Sequence, residues 1–110
     1  MAASILHRAA GVAIYGGLLI LAGWVFALEA GPAPFTAYVG ALHTPLGLTV
    51  LFLITLALFF HLANGVRHLA WDIGAGFLPK TASATAWAAF LLAAAINMVF
   101  WFALVAAGKV

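Results

Sequence analysis

Three apolar runs, over residues 4–28, 44–73 and 85–107, limit what this chain can become more than any other feature. Each is long enough to cross a hydrocarbon core about 30 Å thick, which takes about 20 helical residues. None alternates with period two, and an open sheet leaves backbone groups unsatisfied in lipid, so strands are excluded. Only 5% of the residues are charged, against about 25% in a soluble domain, too few to coat a surface facing water. The reading is an all-α integral membrane protein with three transmembrane helices. The short connections make them antiparallel neighbours in a single membrane-anchor domain, residues 1–110.

Residues 29–43 read as a short loop, with Gly31, Pro32 and Pro34 ending the first helix. Residues 72–84 read as the second loop, punctuated by Gly74, Gly76 and Pro79. Arg8, Arg67 and Lys80 gather at the amino end and the second loop, while Glu29 and Lys109 mark the other side. The positive-inside tendency places the amino terminus and the second loop in the cytoplasm. The apolar core of the first helix, residues 9–28, exceeds the 7–15 residues of a signal-peptide core, so it reads as a span. Without a visible transit peptide, a multi-pass protein of a bacterial inner membrane is favoured over a mitochondrial one. There are no cysteines, which excludes disulfides, thiolate metal sites and thioether-linked haem. No basic patch supports nucleic-acid binding.

The polar residues of the second span carry the chemistry. Over residues 61–74 the sequence is His-Leu-Ala-Asn-Gly-Val-Arg-His-Leu-Ala-Trp-Asp-Ile-Gly. On a helix, Gly65, His68 and Asp72 fall within about 40° of His61, giving one face of imidazole, gap, imidazole and carboxylate. Each ionisable group costs a few kcal/mol against lipid, so this face must meet protein, water or a cofactor. His61 suits a haem ligand, a proton-relay group or a packing residue hydrogen-bonded to a neighbouring helix. It lies about ten residues inside the span, and Gly65, one turn on, leaves room for a flat macrocycle. His61 and His68 are about 10.5 Å apart along the axis, too far for one iron. If His61 binds haem iron, a second axial ligand is expected from another chain. His43 lies at the opposite surface and reads as an interfacial residue.

The first span opens with Ser4-Ile-Leu-His7-Arg8. Ser4, Arg8 and Gly11 share a face, with His7 offset by roughly 60°. Arg8 offers a rigid fork of donors for a carboxylate or a polarised carbonyl, or serves as a snorkelling anchor, as does Arg67. Both clusters fall on one side of the membrane, where they can line a single polar pocket. Asn97 is the isolated polar residue of the last span and suits an interhelical hydrogen bond.

With these residues in place, the chain resembles the cytochrome b large membrane-anchor subunits of succinate dehydrogenase (succinate:quinone oxidoreductase). The resemblance covers nearly the whole chain. It rests on Ser4-Ile-Leu-His-Arg8 with Gly11, and on His61-x3-Gly65-x-Arg67-His68-x3-Asp72-x-Gly74. It implies that His61 is an axial ligand to haem b, shared with a small membrane-anchor subunit. Ser4 and Arg8 match residues near the quinone head group. His7, Gly65, Arg67 and His68 match the haem and propionate neighbourhood, and Asp72 a polar surface near the quinone site. The implied partners are the small anchor, an iron–sulfur subunit and a flavoprotein subunit, with ubiquinone as substrate. On this reading the chain is a subunit of an enzyme and inert alone. Family members carry a further polar segment before the first motif where this sequence has Met1-Ala-Ala, which implies fewer docking contacts with the soluble subunits.

Two other functions fit the residues without the resemblance. One is a small proton- or ion-conducting protein using His61, His68 and Asp72 as a relay; the lack of an inverted repeat speaks against a transporter. The other is a haem-free structural anchor with its histidines in packing roles.

Overall fold

Proline and glycine set the helix boundaries. A computed structural model describes residues 2–74 and 79–110. The chain runs through α1 (Ala2–Ala30), α2 (Pro32–Leu42), α3 (Pro45–Asp72) and α4 (Pro79–Ala106). Pro32 and Pro45 stand in the first turns of α2 and α3, where a missing N–H costs nothing and the fixed φ suits a helix. Gly31, at φ 124°, separates α1 from α2, and Gly74, at φ 87°, follows α3; both values favour glycine. Thr44 caps α3 by accepting from the Gly47 N–H at 3.1 Å.

The described residues are mostly helical and contain no strand. α1, α3 and residues 82–106 of α4 are long and apolar enough to cross a membrane, and their outer faces carry exposed Val12, Phe26, Leu53 and Phe102. The predicted spans start and stop within a few residues of these helices, except that α4 begins at Pro79 rather than at residue 85. Residues 75–78 of the second loop, Gly76 among them, lie outside the described residues.

The first connection is not a loop. Residues 32–42 form α2, because Gly31 breaks α1 and Pro32 at once restarts a helix in an alanine-rich stretch. α2 doubles back on α1: Tyr38 Oη donates to the Ile20 carbonyl, and Phe35 meets Trp24 edge to face at 5.7 Å. This contact also explains Gly23. A Cβ there would stand 2.5 Å from the Tyr38 hydroxyl, so Gly23 is the seat for that ring rather than a general packing position.

α3 is the central helix and packs against both α1 and α4. The few buried residues are mostly small: Ala10 and Ala93 close around Phe60, and Ala27 and Ala89 are also buried, as expected where close approach replaces a hydrophobic driving force. At one end of the α3–α4 contact, fully buried Asn97 does what its isolation implied. Thr55 Oγ1 donates to Asn97 Oδ1 at 2.7 Å, and Trp101 Nε1 donates to Thr55 Oγ1 at 2.8 Å.

The α2–α3 corner makes a local test possible. A Cβ on Gly47 would come within 2.5 Å of the Ala41 and Leu42 carbonyl oxygens, which are backbone atoms with no rotamer to escape by. Gly47→Ala should destabilise the fold by about 1–3 kcal/mol, read as a lower unfolding midpoint in detergent. Gly16→Ala, which meets nothing within 4 Å, is the matched control and should not lower it.

Candidate functional site

Two stripes on α3, about 100° apart around the axis, organise the polar end of the bundle. His61, Gly65, His68 and Asp72 form one. Phe60, Asn64, Arg67 and Trp71 form the other. His61 and His68 of the first meet α1; Arg67 of the second reaches α4, and Phe60 packs against both neighbours.

On the α1 side, His7 stacks on His61 with ring centroids 4.1 Å apart and planes inclined by 15°. His68 meets the edge of His7 at 5.3 Å. Gly11, one turn after His7, leaves the backbone bare beside His61; a Cβ there would lie 3.6 Å from His61 Nε2. His61 is half-buried and makes no hydrogen bond among the described residues. The Nδ1 atom of His7 is buried without a partner. A Cβ at Gly65 would meet nothing within 4 Å, so α3 is open to a neighbouring group at that position.

On the α4 side, the Arg67 fork is spread over three acceptors. Nε donates to Thr85 Oγ1, Nη1 to Asn64 Oδ1 and Nη2 to the Ala82 carbonyl, each at 3.0 Å. The guanidinium also lies 4.1 Å above the Trp71 ring, a favourable cation–π arrangement. Asn64, fully buried, thus holds the arginine while its amide nitrogen lies 3.5 Å from His68 Nε2. Thr85 and Asn64 were not singled out in the sequence, although Asn64 sits within the motif at the helical spacing that should have paired it with Arg67.

The structure gathers His7, His61 and His68 and sends Arg67, the neighbour of His68 in sequence, to the opposite helix. Ser4 and Arg8 are exposed on α1, and Asp72 is exposed at the end of α3. The single pocket expected to join the two clusters is therefore not closed by this chain. It is His7, not Arg8, that α1 turns toward α3.

This donor set fits one axial imidazole and not two. The lone pairs of imidazole lie in the ring plane. His7 and His61 are nearly parallel, so their lone pairs cannot converge on a metal about 2 Å from each nitrogen. Among the described residues no cluster of three or more metal-binding side chains occurs. The unpartnered His7 Nδ1 and the gap at Gly65 are features that a flat group with polar edges would fill.

His43 lies at the far end, after α2, with Nδ1 2.9 Å from the Val39 carbonyl and Nε2 3.2 Å from the Lys109 carbonyl. Only imidazolium can donate from both nitrogens. The Val39 carbonyl first, and then that of Lys109, hold its pKa above the usual histidine range, against a small opposing effect of burial. A raised folded-state pKa stabilises below the unfolded value of about 6.5 and is lost as pH rises through the folded value. NMR titration of the His43 ring should give a midpoint above about 6.5. A midpoint at or below that value would remove the two-carbonyl contact.

Sequence comparison bears on what this arrangement serves. The model of the succinate dehydrogenase/fumarate reductase transmembrane subunit family matches residues 1–106. The succinate dehydrogenase cytochrome b556 subunit of Rickettsia felis is 35% identical over 98 residues, 89% of this chain and 76% of that protein. Its counterpart in Rickettsia bellii is 33% identical over 99 residues, again 89% and 76%. The mitochondrial cytochrome b560 subunit of Mus musculus is 34% identical over 80 residues, 69% of this chain and 46% of that protein.

Proposed function

Because the chain belongs to the succinate dehydrogenase/fumarate reductase transmembrane subunit family, we propose that it anchors a succinate:quinone oxidoreductase in the membrane, supplies one axial ligand to haem b and forms part of the ubiquinone site. The observation that carries this reading is the pairing of His61, free of hydrogen bonds among the described residues, with the gap at Gly65. Bound haem b would supply one-electron transfer. On the protein side, His61 would hold the iron, Gly11 and Gly65 would leave room beside the group, and His7 and His68 would offer ring nitrogens to its polar edges. Arg67, fixed by Asn64 and Thr85, would add positive charge from behind. A small anchor subunit would complete the haem site.

Ser4 and Arg8 stay exposed on α1 because their partners lie outside the chain. Arg8 can donate to a quinone carbonyl, and its charge favours the negative charge that builds on oxygen during reduction. Asp72 adds a carboxylate at the same surface. Succinate oxidation belongs to a flavoprotein subunit, and an iron–sulfur subunit passes the electrons on. A bacterial inner membrane is the setting, with α1 beginning and α3 ending on the cytoplasmic side. A proton-conducting role is less well supported: Asp72 is exposed, and Asn97 of α4 is engaged with Thr55.

The haem assignment is tested by His61→Ala, which should lower haem content or convert it to a high-spin form in the purified complex, while His43→Ala changes neither. An unaltered low-spin spectrum in the His61 variant sinks the assignment. Gly65→Leu should deplete haem to a similar degree, with Gly16→Leu rather than Gly23→Leu as control, because Gly23 seats Tyr38. Full haem occupancy in an assembled Gly65→Leu complex would rule out a cofactor face there.

The quinone assignment has its own readout. Arg8→Leu and Ser4→Ala should cut quinone reduction, by about tenfold or more for loss of a charge-assisted hydrogen bond, and leave succinate oxidation by artificial dyes nearly intact. Equal loss of both activities would point to failed assembly instead.

A further inference from the structure

On the α4 side of α3, a groove of about 590 Å³ runs between the amino-terminal turns of α1 and α4. Phe60 and Arg67 of α3 form its floor, Leu6 lines it from α1, and Ala86, Trp87 and Phe90 line it from α4. Its volume lies within the roughly 300–1,000 Å³ of ordinary small-molecule sites. The walls are apolar apart from Arg67 and Ser83, so the groove is amphipathic along its length.

Arg67 decides what can occupy it. Three of its five N–H groups are used by Thr85, Asn64 and Ala82, which fixes the guanidinium but neutralises none of its charge. The sequence contains only two acidic residues, Glu29 and Asp72. Glu29 is at the opposite end of α1, and Asp72 is on the histidine stripe of α3, where it makes no ion pair among the described residues. A cation inside a spanning helix needs an anion or a route to the headgroups. Arg67 lies five residues before the end of α3, about 7.5 Å along the axis, so the anion has to reach it from the membrane surface. An occupant with a negative head and a long apolar tail matches both the charge and the walls, and the bilayer supplies such molecules.

We propose that this groove binds one anionic phospholipid, with its phosphate on the two remaining N–H groups of Arg67 and an acyl chain along Phe60, Phe90 and Leu6. Trp87, two-thirds exposed, lines the same groove and adds an aromatic face to its apolar wall. The groove lies on the α4 side of α3, about 100° around the axis from the histidine stripe.

The test uses the whole complex, reconstituted in phosphatidylcholine bilayers with an admixture of phosphatidylglycerol, extracted, and examined by native mass spectrometry. Wild type should retain phosphatidylglycerol in preference to phosphatidylcholine, one molecule per copy of the chain. Arg67→Gln should reduce that preference by about tenfold, the worth of a charge-assisted hydrogen bond. Ala86→Trp fills the groove without touching the Arg67 fork and should lose the retained lipid of either kind; it decides the matter if Arg67→Gln fails to assemble. Unchanged retention in Ala86→Trp overturns the proposal, as does an unchanged preference in assembled Arg67→Gln. Displacement of the lipid by added ubiquinone would also overturn it, by making the groove a quinone site.

Discussion

A polar side chain at bilayer depth has to find its partners within the protein or reach the surface, and α3 carries more of them than any other helix in the chain. Arg67 alone would cost about 2.5–3.5 kcal/mol at the centre of a span. The structure meets this demand by dividing α3 into two faces. Asn64, Arg67 and Trp71 turn to α4, where Thr85 and the Ala82 carbonyl complete the fork. His61 and His68 turn to α1, where His7 lies between them. A single helix thus joins both neighbours, and adjacent residues in sequence, Arg67 and His68, serve different interfaces.

The two interfaces are built differently. α3 and α4 are tied by side-chain hydrogen bonds at both ends, by Arg67 with Thr85 at one and by Thr55, Asn97 and Trp101 at the other. Between α1 and α3 no side-chain hydrogen bond occurs among the described residues. That contact depends on small residues: Ala10 against Phe60, Gly17 facing Ile54, Gly11 facing His61. A Cβ at Gly17 would come within 2.8 Å of Ile54 Cγ2, so the approach is already at its limit. The imidazole stack is therefore positioned by backbone proximity, and glycine there is as consequential as histidine.

The spans and their helical class were legible because length and hydropathy alone decide them in a membrane. Asn97 was legible because an isolated polar residue in a span has few alternatives to an interhelical bond. α2 was not, since Gly31, Pro32 and Pro34 are turn residues as readily as helix starters, and only the seat for Tyr38 on Gly23 makes a helix there worthwhile. The stripe of His61, Gly65, His68 and Asp72 followed from a fixed angle per residue. What that angle could not tell was which neighbour each face would meet. Arg67 and His68, adjacent in sequence, lie about 100° apart around the axis and so meet different helices, and on α1 it is His7 that meets α3 while Arg8 is exposed.

The two ends of the molecule differ in how complete they are. At one, α2, the start of α3 and the last residues of the chain close on one another: Thr44 caps, His43 reaches both Val39 and Lys109, and Asn97 is satisfied within the bundle. At the other end three needs are left open together. His7 Nδ1 is buried without a partner, the Gly65 surface meets nothing, and Arg67 carries a charge with no carboxylate against it among the described residues. They sit toward the same end of the bundle, His7 on α1 and Gly65 and Arg67 on adjacent faces of α3. A chain that satisfies one end internally and leaves the other unsatisfied is shaped by what binds there. Under the proposed function, the energetic effect of changing His7, Gly65 or Arg67 is therefore expected to be larger in the assembled membrane complex than contacts within this chain imply.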